Sequence, residues 1–208
     1  MARFVVDCED NDSYTFRDYP ELPPSQRIHQ ELVPDMSGAS RPGFRRCQTC
    51  RELLAKWDEP LSGLKLKKSR YDISATYDGV VVVSLRFKTI CENAGLSGLT
   101  FQQLPNDPTF FAIRAKRAVA FDAERRKTRF INPCSKCGRF ETVVGATPVF
   151  LKTGSRIGNR EFVRTDLEFA SGDEKHPLLL CGEVAAKSLS EAKLKGLDLC
   201  QIDESNID

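Results

Sequence analysis

Two cysteine pairs constrain this chain more than anything else in it. Cys47-Gln48-Thr49-Cys50 and Cys134-Ser135-Lys136-Cys137-Gly138 are separated by 83 residues between Cys50 and Cys134. Each CxxC lets two sulfurs bend toward one ion, and two pairs supply the four thiolates of a closed structural zinc site. Gly138 follows the second knuckle, where a tight backbone favours glycine. Arg51 stands at the matching place after the first. Closing a loop of that length costs about 4 kcal/mol. A structural zinc contributes about 10–16 kcal/mol of apparent binding free energy. The metal outweighs the loop, and the inserted residues are free to fold around their own core. The expected ligands are Cys47, Cys50, Cys134 and Cys137, holding zinc in a structural role.

Three other readings compete. A disulfide pair needs an oxidising compartment, and Met1–Asp7 meets acid too early for a secretory leader. A redox CxxC sits between a strand and a helix, whereas Pro133 and Gly138 mark turns around the second pair. Two unrelated surface pairs would leave four reactive thiols in solvent. Cys8, Cys91, Cys181 and Cys200 lack paired spacing and read as small hydrophobes. Neither His29 nor His176 shows ligand spacing.

The net charge of +2 hides an uneven distribution. Residues 1–40 carry eight acids and three bases, residues 41–165 carry 11 acids and 24 bases, and residues 166–208 carry ten acids and four bases. A basic middle between acidic ends suits internal charge matching, or else a nucleic-acid surface. No apolar run reaches the roughly 18 residues of a membrane span, so the chain is expected to be cytoplasmic.

Along the chain, Arg3–Val6 reads as a strand that Tyr14-Thr15-Phe16 could join. Ser25 is placed to cap a helix over Gln26–Leu32, and Pro34–Gly43 is turn-rich. Glu52–Trp57 reads as a short helical turn ending in a packed tryptophan. Asp72–Tyr77 is strand-like, and the β-branched run Val80–Val83 predicts a strand buried on both faces. Ser84 caps a helix carrying Phe87, Ile90, Cys91 and Ala94, Gly95 stops it, and Gly98–Leu104 alternates as a strand. The plan recurs: Asp166–Phe169 answers Asp72-Ile73, Leu178–Cys181 answers Val81–Ser84, and Leu194–Leu199 answers Leu96–Phe101 after a helix one residue longer. Between the copies, Phe110–Arg114 and Thr128–Ile131 read as strands, with Arg125-Arg126-Lys127 at a turn. Phe140–Leu151 reads as a hairpin arm and Gly154–Arg160 as a loop.

The expected fold is therefore α+β. A zinc-ribbon-like knuckle element with four cysteine ligands (45–70 and 132–160) joins two repeated strand–helix–strand units (71–131 and 161–208) on an antiparallel or mixed sheet, in one unit of 208 residues. The two cysteine motifs, their separation and the Leu-x-Gly-Leu exits at Leu96–Leu99 and Leu194–Leu197 resemble the bacterial double-CXXCG motif family, over about Arg45 to Ile202. Members of that family are regarded as immunity proteins against contact-delivered toxins. The resemblance implies a cytoplasmic inhibitor that occludes one cognate toxin protein, with structural zinc and no catalysis of its own. The chain has no phosphate-binding glycine loop, no HExxH and no nucleophile elbow. The alternative is a zinc-containing nucleic-acid binder using Lys116, Arg117, Arg125, Arg126, Lys127 and Arg129.

Overall fold

The computed structural model describes residues 2–15, 45–58, 61 and 64–202. The Ser25 cap, the turn-rich Pro34–Gly43 stretch, Phe16 and His29 lie outside the described residues. The architecture is α+β and strand-rich, with a mixed sheet.

The first half of the sheet is built around the apolar run. β1 (Arg3–Asp10), β2 (Ile73–Ala75) and β3 (Val81–Ser84) precede helix α1 (Leu85–Asn93). After the helix come β4 (Leu99–Leu104) and β5 (Asp107–Ala115). β3 pairs antiparallel with β2 and with β5, and β5 pairs with β4. The run is buried on both faces, as a β-branched strand in the middle of a sheet should be. Val83 faces the core beneath the helices, and Val82 faces a second core with Leu53, Leu64 and Phe110. Ser84 caps α1, its hydroxyl accepting from the Phe87 N–H.

A short β6 (Ala118–Val119) and a four-residue α2 (Ala123–Arg126) lead to the hairpin β7 (Arg129–Pro133) and β8 (Phe140–Val144). The Arg125-Arg126-Lys127 turn is thus a helical turn, closed by Lys127 at φ 57°. The two basic strands on either side of it do not pair with each other. β5 joins β3 and β4, whereas β7 joins β8.

The last part holds β9 (Phe162–Ser171), β10 (His176–Gly182), α3 (Glu183–Glu191) and β11 (Leu197–Gln201). β9 and β10 pair antiparallel. The partner between β10 and β11 comes from the other end of the chain, because β1 pairs antiparallel with both. The far end of β1 then runs parallel to β2 through Glu9 and Asp10. In the same way β6, which continues β5 past Lys116 and Arg117, runs parallel to β9. The pairings therefore close into a ring: β5, β3, β2, β1, β10, β9 and back through β6.

A few backbone hydrogen bonds around the two helices are reciprocal. Both helices have nine residues, so the extra residue expected in the second is not there. The Ser84 N–H donates to Asp72 O, and the Gly182 N–H donates to Glu161 O. The Ile73 N–H donates to Lys195 O, and the Phe162 N–H donates to Ser97 O. Glu161-Phe162, and not Asp166–Phe169, makes the hydrogen bonds that parallel those of Asp72-Ile73. Glycine is required at both exits. A Cβ on Gly98 would lie 2.2 Å from Phe162 O, and one on Gly196 would lie 2.3 Å from Ile73 O. The helix starts differ in one respect. Gly182 offers no side-chain cap, and the Asn159 carbonyl instead accepts from Ala185 N–H at 3.0 Å.

Glu52–Trp57 is not a helical turn throughout. Leu53 bridges Arg46 in a small antiparallel turn, and only Lys56–Asp58 forms a 3₁₀ turn. Tyr14 and Thr15 lie outside any strand.

Candidate metal centre

The two knuckles are built alike from the backbone upward. In the first, Cys47 N–H donates to Glu52 O and Arg51 N–H to Cys47 O, both at 2.9 Å. In the second, Cys134 N–H donates to Arg139 O and Gly138 N–H to Cys134 O, both at 2.8 Å. The residue after each pair is left-handed, Arg51 at φ 64° and Gly138 at φ 72°. Glycine takes that conformation without penalty, whereas an L side chain costs roughly 1–2 kcal/mol. Arg51 therefore adopts the geometry of the missing glycine at a local cost, and its carbonyl accepts from Arg46 Nη1 at 2.8 Å.

The long insertion brings the two knuckles face to face. Cys47 Sγ lies 3.8 Å from Cys134 Sγ, and Cys50 Sγ lies 3.6 Å from Cys137 Sγ. All four sulfurs fall within 4.8 Å of one another, a set that could hold a metal ion. A tetrahedral ion with metal–sulfur bonds of about 2.3 Å has sulfur–sulfur edges of about 3.8 Å. The two short edges match that figure. All four cysteines are free thiols. The four expected ligands are together, and the four other cysteines stand apart from them. Cys91 and Cys181 are buried under the helices, where burial pushes both thiols up to about 12 and leaves them inert. His176 Nδ1 lies 2.9 Å from Glu174 O, away from the cluster.

Backbone N–H groups pointing at the sulfurs favour the thiolate form. Those of Cys50 and Thr49 hold the Cys47 thiol down at about 6, and those of Cys137 and Lys136 lower Cys134. Cys50 moves upward, through desolvation of its sulfur first and the neighbouring cysteines after it. Four thiolates at this spacing therefore need a cation to ionise together.

A charge network that spacing alone does not reveal fixes the cluster to the sheet. Glu52 and Lys175, both buried, pair at 2.9 Å, and Arg139 reaches Glu52 at 3.5 Å. Lys175 Nζ also donates to Phe140 O at the start of β8, and Arg139 donates to the carbonyls of Leu53 and Leu54. Asp173 receives Arg46 Nη1 at 2.6 Å and Leu53 N–H at 3.0 Å. Buried Lys56 donates to the carbonyls of Asp173 and Lys175, each at 2.7 Å. Burial lowers its pKa to about 8, outweighing the upward pull of Asp78, Glu168, Asp173 and Glu52. The first knuckle thus leans on the short turn Gly172–Glu174 after β9, and the second segment on Lys175 just beyond it. These partners lie 35 or more residues apart in sequence, so no local signal points to them.

Two side chains of the basic middle make internal contacts. Arg117 grips Glu161 through Nε at 2.9 Å and Nη2 at 2.8 Å. Arg125 stacks over Phe150 with its guanidinium 4.3 Å from the ring centre. Among the described residues no helix is long and apolar enough to cross a membrane. No family model matches the sequence, and no curated protein matches it significantly.

Proposed function

We propose that this chain is a cytoplasmic immunity protein that binds and neutralises one cognate bacterial toxin by occluding it, with zinc as a structural staple. The observation that carries the reading is the convergence of Cys47, Cys50, Cys134 and Cys137 on one four-sulfur set. Four protein ligands fill a tetrahedral shell and leave no position for substrate, which suits a structural ion better than a catalytic one. Thiolate ligands at this spacing suit zinc among the divalent metals. The family resemblance supplies the toxin as partner. The engagement of Arg117 and Arg125 in internal contacts weighs against the nucleic-acid alternative, since phosphate would have to compete with Glu161 and Phe150.

The test mixes the purified chain with candidate bacterial toxin domains, first any that a neighbouring gene encodes. The expected result is a 1:1 complex that persists at moderate salt, and protection of cells making the toxin, because packed anchors are not screened. A nucleic-acid binder making six phosphate contacts would lose about a thousandfold in affinity between ~50 and ~200 mM salt. Salt-sensitive binding of DNA or RNA, abolished by Arg125→Ser with Arg126→Ser and Lys127→Ser, with no protection of cells, would overturn the proposal.

We also read the two strand–helix–strand segments as copies of one unit, a view that the reciprocal hydrogen bonds at Ile73 and Phe162 support. Gly98→Ala and Gly196→Ala should then destabilise the fold similarly. Each should cost more than about 2 kcal/mol, since a left-handed alanine is itself strained. Thermal melts in which only one of the two is damaging would contradict equivalence.

A further inference from the structure

A second feature lies apart from the cysteine cluster, where β3, β5, β9 and β10 border a small cavity beside Trp57. The cavity measures about 30 Å³ and is lined by Trp57, Val81, Ile113, Arg114, Arg164 and Leu179, among others. Its walls are mainly aliphatic, yet Arg114 and Arg164 are among the residues that line it. Arg164 Nε is buried without a hydrogen-bond partner among the described residues, and Arg164 Nη1 reaches only Thr165 O at 3.3 Å. Arg114 sits over the Trp57 ring, 5.6 Å from its centre. Among the described residues neither arginine forms an ion pair. Glu168, the closest carboxylate to Trp57, is held by the indole N–H. Burial first, and the Arg164 charge second, push the Arg114 pKa down, against a smaller upward pull from Asp58 and Glu168.

Two cations sharing an apolar-walled cavity repel each other, and a buried guanidinium donor left unpaired costs free energy. One bound anion relieves that repulsion. We propose that this cavity is an anion site that takes a carboxylate carried on a short apolar stem. Three observations choose that class. Arginine forks match the two oxygens of a carboxylate in a bidentate arrangement. A volume of about 30 Å³ holds a group of that size, as roughly 10–15 Å³ of such volume suffices for one water. Val81, Ile113 and Leu179 offer the stem an apolar wall. The carboxylate belongs either to a free short-chain acid or to the C-terminus of another protein. The site is independent of the zinc and of the toxin reading.

Trp57 is the chain's only tryptophan and lines the cavity, so its fluorescence reports occupancy directly. The test titrates the full chain with butyrate and, in parallel, with butyramide, at ionic strength held constant with sodium chloride. Saturable change with butyrate and none with butyramide is the expected result. Arg164→Gln should weaken butyrate at least about tenfold, because a charge-assisted donor pair is lost. Circular dichroism checks that this variant folds, and Arg114→Gln serves as the second variant. A short peptide with a free C-terminus, compared with its amide, separates the two sources. Tighter binding of the free peptide than of butyrate assigns the site to a protein terminus, and the reverse assigns it to a small acid. No saturable response, an equal response to butyramide, a response to inorganic phosphate alone, or butyrate affinity unchanged in both variants would overturn the proposal.

Discussion

Cys134→Ser is expected to lower the unfolding free energy by more than about 4 kcal/mol, the scale at which loss of a metal site registers. In a chain of 208 residues that corresponds to a drop of about 10 °C or more in Tm. The effect arises because the two knuckles belong to distant segments whose sulfurs meet at 3.8 and 3.6 Å. Without one ligand the ion no longer closes the intervening loop. A chelator should bring the wild type down to the variant's melting curve and leave the variant nearly unchanged. Acidification should release the metal as well, since each thiolate must take up a proton to let it go. A Cys134→Ser protein that melts with the wild type, with or without chelator, would show that no metal staples these segments.

Glu52→Ala should cost about 3–5 kcal/mol, the range for breaking a buried ion pair from one side. Its partner Lys175 is only 5% exposed, and the variant would strand that cation beside the Phe140 carbonyl without a carboxylate. Lys175→Met should be milder, because Arg139 still reaches Glu52 at 3.5 Å. The double variant should recover much of the loss, as an apolar replacement of both partners removes the unpaired charge. Urea denaturation of the four proteins provides the comparison. Equal losses for both single variants, with the double variant worse than either, would mean that the pair is not acting as a unit.

The sequence showed most where chemistry is local. The ligand set follows from two CxxC spacings, the doubly buried strand from a run of four valines, and the first helix start from Ser84. It misled where correspondence had to be counted across a turn of different length. The hairpin of β9 (10 residues) and β10 (7 residues) is longer than that of β2 (3 residues) and β3 (4 residues), and a register shift lies between Pro177 and Leu179. Counting back across it matched Asp166 to Asp72 on chemical likeness. The backbone hydrogen bonds instead set Phe162 against Ser97 as they set Ile73 against Lys195, and Phe162 shares only its burial with Ile73. Nothing local announced that β1 would lie between β10 and β11, because strand pairing at that separation is decided by the closed ring and not by the strand. Arg51 hid its left-handed backbone behind a side chain that ordinarily avoids it.

The most direct measurement is the metal content of the reduced, folded protein by elemental analysis, together with the same measurement on Cys47→Ser. The account predicts one zinc per chain in the wild type and much less than one in the variant. A folded, reduced wild-type sample without stoichiometric zinc, or a variant that keeps it, would contradict the four-cysteine centre.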